Sequence, residues 1–371
     1  MSGRTQRAAL YAGGFLGPFG GGVLTVLVPD LRSEFDVSTG VASLVIPAYI
    51  VPFAVLQLVS GTLGERFGAA RTTRIAYVVY ALVSVLAALA TGFGLLLGAR
   101  ALQGVANAFT TPLLLASLAA TTPPERLGRA MGSFAAVQTA GIVSAPLLGG
   151  LAGAANLRLA FIGPAVAALL LALVPLPGTA RAGSAEPARL RAALNRRVRW
   201  LAGAAFLAYL AVTGLSFLVA IRAADHFDLG PDTRGLLLAG FGLAGVIVGP
   251  FAGGLVDRHG RMPVTLAGAL ACAAIVPLLG VVGSAAWLAT VWIAAGIGSA
   301  LLWTGLNTFA VEAAPENRGG AVSFIGAWKF AGNAAAPAVW LPLYTGHAAV
   351  AFTAAGAACL LIAGAVRRAS G

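Results

Sequence analysis

The chain has 371 residues, of which 59% are hydrophobic and only 10% are charged. A soluble globular protein carries about 25% charged residues, so this composition excludes an ordinary soluble domain and indicates a membrane protein. The formal net charge is +12, which in a soluble chain would suggest nucleic acid as a partner. The placement of the basic residues, described below, favours membrane orientation instead, and we expect no nucleic-acid partner.

Apolar stretches of roughly 20 residues separate the clusters of charge, and a helix of that length crosses a ~30 Å hydrocarbon layer. These apolar stretches are too long to be the strands of a membrane barrel. The first stretch exceeds the apolar core of a signal peptide, so we expect it to be the first span rather than a leader. The pattern predicts an all-α membrane protein with twelve transmembrane helices, at approximately residues 8–29, 40–62, 72–91, 93–119, 128–152, 157–176, 200–221, 233–256, 263–283, 285–311, 320–343 and 347–366.

The arginines are distributed unevenly between the two sides of this predicted bundle. An even number of spans places both termini on one side, where eighteen loop arginines fall. The other side has four, Arg32, Arg158, Arg222 and Arg234. Because positive residues accumulate in cytoplasmic loops, the sequence predicts a multi-pass protein of the cell membrane with both termini in the cytoplasm. Its immediate partner is then the lipid bilayer.

A short motif occurs twice, 192 residues apart, each time at the end of a predicted span. The copies run from Gly61 to Gly68 and from Gly253 to Gly260, with glycine, leucine, an acid and arginine in register. Other matched pairs keep an offset of 191 or 192 residues: Asp36 and Asp228, Pro124 and Pro315, Pro146 and Pro337. The constant offset predicts two parallel, pseudo-symmetric six-helix halves and a cytoplasmic linker, at residues 1–176, 200–371 and 177–199 respectively.

On these motifs the chain resembles the major facilitator superfamily, whose members are transporters with two parallel six-span halves. The resemblance implies alternating access, in which the loops after spans 2 and 8 latch the halves on the cytoplasmic side and release them when the cavity opens inward. The first copy departs from the family in carrying Glu65 where aspartate is usual. The plainer interpretation is a tight turn with orienting arginines. The implied gating residues are Gly61, Glu65, Arg66, Gly68, Arg71, Gly253, Asp257, Arg258 and Gly260.

Span 4 carries polar residues at helical spacing. Arg100, Gln103, Asn107 and Thr110 or Thr111 fall on one face of a helix. An intramembrane arginine costs from ~3 kcal/mol upward and normally faces a protein or water-filled interior, so we expect Arg100 to face the cavity. The alternative is that it extends to the outer membrane surface. The segment from Arg100 to Gly104 also resembles a family motif, which implies a role for Arg100 in proton coupling.

Span 5 has a pattern of glycine and proline. Gly141, Pro146, Gly149 and Gly150 resemble the motif that marks proton-linked antiporters of the superfamily, although Ala145 stands where another glycine is usual. Glycines let a neighbouring helix pass closely, and proline bends its own helix. These residue types are also common in membrane helices without such a role. The acids nearest to the membrane interior, and so the candidates for coupling beside Arg100, are Asp30 and Glu312.

Spans 10 and 11 supply further candidates for the cavity lining. Lys329 aligns with Gln138 of span 5, so the pseudo-symmetric position is polar in both halves. It lies ~15 Å beyond the inner loop, close to the midplane. There it could titrate, hold an anionic group of a substrate, or bond to helix carbonyls for structure alone. The other candidates are Trp303, Asn307, Phe324, Trp328 and Asn333.

The sequence contains no arrangement typical of catalysis, a metal site or a phosphate-binding loop, so we expect neither an enzyme nor a cofactor. Transport is then driven by a gradient. The sequence predicts a monomeric secondary transporter of a small-molecule substrate, with proton-coupled efflux of amphipathic, drug-like compounds. One alternative is an importer or exchanger of a small organic anion with Arg100 and Lys329 as its positive site. An alternative of another class is a membrane receptor that does not transport.

Overall fold

The structure is a computed structural model that describes residues 3–176, 195–313 and 318–370. The described residues form helices and turns, with no β-strand among them. The chain divides into two compact units, residues 1–185 and 186–371. Most of the predicted linker, residues 177–194, lies outside the described residues. The predicted boundaries of the two halves therefore stay predictions.

The first unit begins with a span that is interrupted by a 3-10 turn at Thr25–Leu27. Within the unit α1 packs on α8, α4 packs on α6, and α5 packs on α9. The helices are α1 Gly3–Gly22, α2 Val28–Glu34, α3 Thr39–Ser43, α4 Val45–Arg66, α5 Ala69–Ala88, α6 Phe93–Ala108, α7 Thr111–Ala120, α8 Pro124–Ala155 and α9 Leu159–Leu173.

The second unit repeats this arrangement, with 3-10 turns at Thr213–Leu215 and Val276–Gly280. Here α10 packs on α15 as α1 does on α8, and α12 packs on α14 as α4 does on α6. The helices are α10 Arg196–Ala211, α11 Ser216–Asp225, α12 Pro231–His259, α13 Arg261–Ile275, α14 Ala285–Glu312, α15 Arg318–Gly346 and α16 Ala348–Ser370.

The helices confirm the predicted fold class. Ten helical segments of the described residues are long and apolar enough to cross a membrane, and each coincides with a predicted span. The predicted sixth span is the shorter apolar helix Leu159–Leu173, and the predicted eleventh span is α15. The chain is therefore a multi-pass membrane protein, and nearly all of its described residues are helical.

Several spans that the sequence predicts as continuous are interrupted in the structure. The first breaks between α1 and α2, the fourth between α6 and α7, and the seventh between α10 and α11. Proline stands at the first turn of α2 and of α7. It has no backbone N–H and so tolerates the start of a helix better than its interior. A hydropathy pattern does not register such breaks, because the apolar character continues through them.

Each unit contains a close contact between two helix backbones, and the two contacts are related by the sequence offset of the repeat. A methyl group at Gly141 of α8 would clash with the carbonyl oxygen of Phe15, and one at Gly332 of α15 would clash with that of Phe206. Both residues of the second pair lie 191 positions after those of the first. Glycine is required at these positions because the two helix backbones touch. The repeat in the sequence is thus a repeat of helix packing.

Replacing Gly141 with alanine is expected to destabilise the protein by about 1–3 kcal/mol, the usual cost of overpacking, because the new methyl group meets the backbone of α1. Gly163 is the matched control. It is exposed in α9 with open space around its Cα, so Gly163→Ala is expected to be neutral or slightly stabilising. Thermal unfolding of the purified proteins in detergent measures both. Equal unfolding temperatures for the two variants would contradict the close α1–α8 contact.

Candidate substrate and coupling sites

Arg100 lies in the interior of the first unit with only 1% of its surface exposed. Its Nη1 donates to the carbonyl oxygen of Gly20 at 3.1 Å and to Oε1 of Gln103 at 2.8 Å. Its Nε donates to the carbonyl oxygen of Val45 at 3.4 Å. The guanidinium also lies 4.3 Å from the ring centroid of Tyr49. The side chain therefore joins α1, α4 and α6 rather than extending to the membrane surface.

The rest of the polar face of span 4 continues this network. Gln103 donates from Nε2 to Oγ of Ser84 at 2.7 Å, and Asn107 donates from Nδ2 to the carbonyl oxygen of Gly17 at 3.2 Å. Thr110 donates to Oδ1 of Asn107 at 2.9 Å. Thr111 is half-buried at the first residue of α7. Arg100, Gln103, Asn107 and Thr110, which helical spacing placed on one face, are thus all buried and hydrogen-bonded.

This network holds the end of α1. Gly20 belongs to the last turn of α1, where carbonyl groups lack a partner within the helix. A cation at this end also interacts favourably with the helix dipole. Arg100 and Asn107 on α6 therefore satisfy carbonyl groups at and near the point where the first span breaks.

Lys329 of α15 lies among aromatic rings in the second unit. Its Nζ is 4.8 Å from the ring centroid of Phe330, 5.2 Å from that of Tyr209 and 5.9 Å from that of Trp303. All three distances are within the ~6 Å range of cation–π attraction. We call Tyr209, Trp303, Phe330 and the Lys329 ammonium the aromatic cradle. Sequence reasoning singled out Lys329 and Trp303 but missed Tyr209 and Phe330, and no local motif marks Tyr209 on α10.

More rings extend the surface beside the aromatic cradle. Trp328 packs edge-on against Phe206 and Phe324, with centroids 5.9 and 6.3 Å apart. Phe324 is half-buried and Trp328 is 43% exposed. Asn333 is half-buried one turn further along α15. The structure therefore brings Trp303, Phe324, Trp328 and Lys329 together in one region.

The structure also describes two other predicted lining residues. Asn307 is exposed on α14, and Gln138 is half-buried on α8 of the first unit. The role of Gln138 as the counterpart of Lys329 stays a prediction.

The motif loops turn at glycines with positive φ. Gly68 has φ of 92° and Gly260 has φ of 84°, a region that other residues enter only with strain. The described motif side chains Arg66, Arg71, Asp257 and Arg258 are exposed, and Gly253 is half-buried. Gly61 and Glu65 belong to α4, and the exposure of Gly61 and the side chain of Glu65 lie outside the described part of the structure. The gating role of these loops stays a prediction.

The glycines of span 5 lie where α8 crosses the first span. A methyl group at Gly149 would clash with the carbonyl oxygen of Val23, as one at Gly141 would with that of Phe15. Gly150 is buried and Pro146 is half-buried within α8. Ala145, the departure from the family motif, is buried against Gly22. The motif therefore lets α8 approach the interrupted first span closely.

The two candidate acids occupy different surroundings. Glu312 forms an ion pair with Arg261, whose guanidinium lies 4.8 Å from the ring centroid of Phe309. The sequence analysis did not identify this pair. Asp30 is half-buried in the first turn of α2. Among the described residues no group of three or more histidine, cysteine, aspartate or glutamate side chains is placed to hold a metal ion. A coupling role for Asp30 or Glu312 stays a prediction.

Comparison with known proteins places the chain beside membrane transporters. A family model described as Major Facilitator Superfamily matches residues 10–337. The chain is 31% identical over 246 residues to the uncharacterized MFS-type transporter EfpA of Mycobacterium tuberculosis, which covers 65% of this chain and 42% of that protein. It is 32% identical over 130 residues to the probable actinorhodin transporter of Streptomyces coelicolor, which covers 35% of this chain and 22% of that protein. The matches thus span less than half the length of these curated relatives.

A solved structure matches over nearly the whole chain. A bacterial homologue of the human lysosomal transporter Spinster superposes with a TM-score of 0.81 at 17% sequence identity, covering 98% of this chain and 96% of that chain. At this identity the likeness concerns the fold alone.

Replacing Arg100 with methionine is expected to destabilise the protein, because the Gly20 carbonyl and the Gln103 amide lose their donor. Each orphaned acceptor costs about 1–3 kcal/mol. Arg100→Lys is expected to be intermediate, since one ammonium cannot reproduce the guanidinium fork. The exposed Arg158 provides the control variant Arg158→Met. Thermal unfolding in detergent ranks the variants, and an Arg100→Met protein as stable as Arg158→Met would exclude the anchoring role.

Proposed function

The chain belongs to the Major Facilitator Superfamily, a family of membrane transporters rather than enzymes, and we propose that it is a secondary active exporter of small amphipathic organic molecules. In this proposal it works as a monomer by alternating access, with both termini in the cytoplasm. The relatives named for transport of actinorhodin and for resistance to methylenomycin A support export over import. They align with about a third of this chain, so its substrates are part of the proposal.

The interrupted first span is the observation that carries this proposal. Transporter sites are typically built where membrane helices are discontinuous, because free backbone groups are exposed there. In the first unit α6 supplies Arg100 and Asn107 to the carbonyl groups near the break. On α8 Gly141 meets the backbone of α1 at Phe15, and Gly149 meets the backbone at Val23, directly after the end of α1. One break is thus contacted by both motifs that resemble those of proton-linked antiporters.

We also propose that protons drive the export. The acids that remain candidates for carrying the proton are Asp30, close to the break, and Glu312, whose pairing with Arg261 would have to open. Arg100 donates from Nε and Nη1 to carbonyl and amide oxygens. In this proposal it therefore positions the first span and does not itself exchange a proton.

Proton coupling is tested in proteoliposomes that contain a pH-sensitive dye. The probes are three aromatic compounds of different charge: ethidium, N-phenylnaphthylamine and fluorescein. Addition of a carried probe is expected to move protons in the direction opposite to the probe, and collapse of the proton gradient is expected to stop its accumulation. Probe movement with no proton flux would contradict coupling. Failure to move any probe, with binding retained, would favour the receptor alternative.

The importer alternative differs in two measurable ways. It used Arg100 and Lys329 together as a positive site, but Nε and Nη1 of Arg100 already donate to protein acceptors. As an importer it predicts net movement of the anion to the cytoplasmic side, and as an exchanger it predicts that one anion moves only in exchange for another. Vesicles with the protein inserted in one orientation distinguish import from export directly.

The second motif loop is expected to act as part of the cytoplasmic latch. Asp257→Ala should slow transport severalfold while leaving probe binding unchanged, because the loop acts on the conformational change and not on the site. The control is Asp232→Ala, which removes an equally exposed acid at the other end of α12. Transport rates in vesicles and binding in detergent measure the two effects. An unchanged rate for Asp257→Ala would leave only the tight-turn interpretation.

A further inference from the structure

We propose that the aromatic cradle recognises the anionic group of an aromatic substrate, so that the preferred substrates are aromatic organic anions such as carboxylates, phenolates or sulfonates. This inference rests on the proposed transport function and names its substrate class. It differs from the expectation of general drug-like efflux, because it assigns a charge preference to one side chain of the second unit.

The ammonium of Lys329 has ring faces around it and no described acid. The three rings of the aromatic cradle lie within 5.9 Å of Nζ. Among the described side chains the structure shows no carboxylate or hydrogen-bond acceptor on this ammonium. Ring faces attract a cation but carry no net charge, so they compensate it only in part. A positive charge therefore remains at this point of the membrane interior, where it attracts an anion strongly.

The nearest candidate acid on a neighbouring helix is already engaged. Glu312 follows Trp303 by nine residues on α14, about 13 Å along the helix axis. It pairs with Arg261. The other predicted cation, Arg100, donates from Nε and Nη1 to carbonyl and amide oxygens. Lys329 is thus the predicted cation whose charge is available to a ligand.

The surroundings of Lys329 also favour ligands that contain an aromatic ring. Trp303 and Tyr209 form an edge-on pair 4.8 Å apart, and Trp328 continues the aromatic surface on α15. Flat aromatic molecules pack on such faces in offset or edge-on geometry. A ligand with an anionic substituent on a ring satisfies the ammonium and the rings together. A cationic ligand of the same shape meets the ammonium charge and is repelled.

The test uses three probes that share one ring system: naphthoate, naphthamide and naphthylmethylammonium. Binding to the purified protein is measured by ligand-dependent thermal stabilisation over a concentration series. The wild-type protein is expected to bind naphthoate about tenfold more tightly than naphthamide, the gain of one charge-assisted hydrogen bond, and to bind the cation most weakly. A preference for the cation, or no preference by charge, would overturn the proposal.

Variants assign the preference to the cradle. Lys329→Met is expected to lower naphthoate binding to the level of naphthamide and to leave naphthamide unchanged, whereas Lys329→Arg keeps the preference. Trp303→Leu is expected to weaken naphthoate and naphthamide alike. The controls are Arg199→Met and Trp287→Leu, which change exposed residues of the same unit. Retained naphthoate preference in Lys329→Met would overturn the proposal. If that variant does not fold, Lys329→Gln is measured, and the wild-type preference decides in either case.

The same probes in proteoliposomes separate this inference from the proposed function. Transport of naphthamide and naphthoate at equal rates, with no effect of Lys329→Met, would overturn the charge preference while supporting an exporter. Selective naphthoate binding without movement of any probe would contradict the transport proposal and leave the anion site supported.

Discussion

A bilayer offers no hydrogen-bond partner to a buried polar group, so the protein itself must satisfy a guanidinium placed inside it. Arg100 meets this constraint with backbone oxygens of Gly20 and Val45 and the side chain of Gln103. The Gly20 carbonyl is available because α1 ends two residues later. The break in the first span and the arginine in the fourth are therefore mutually dependent. Each would leave unsatisfied polar groups in the membrane without the other.

The two units have corresponding helix–helix backbone contacts, but they differ in the side chains at other corresponding positions. Arg100 over the ring of Tyr49 in the first unit corresponds, 192 residues later, to Trp292 stacked on Phe241 with centroids 4.5 Å apart. Trp292 has a single donor, Nε1, and it has no hydrogen-bond partner among the described residues, so no polar network like that of Arg100 is described at this position. A predicted intramembrane cation of the second unit lies instead on α15, at Lys329. The duplication preserved how helices pack while the two copies diverged in where they hold charge.

The spans, the repeat and the polar face of α6 could be predicted because each follows from the local sequence. Hydropathy marks the spans, a constant offset marks the repeat, and helical spacing groups Arg100, Gln103 and Asn107. The breaks within spans were missed, since apolar residues continue through them. The partners of these residues depend on other helices. Nothing near Lys329 in the sequence indicates Tyr209 on α10, and the Arg261–Glu312 pair joins residues of two different helices.

From the sequence alone Arg100 and Lys329 looked equivalent, as two cations within predicted spans. Their surroundings separate them. A guanidinium has several donors in a fixed plane, and Arg100 directs them at oxygens on three helices, which makes it part of the framework. An ammonium held by ring faces makes contacts that are weaker and less directional. Because an anion offers Lys329 more than the rings do, its contacts can be exchanged for those of a ligand. The same charge is structural where protein oxygens accept hydrogen bonds from Nε and Nη1 of Arg100, and available for recognition where, among the described residues, aromatic rings surround Lys329.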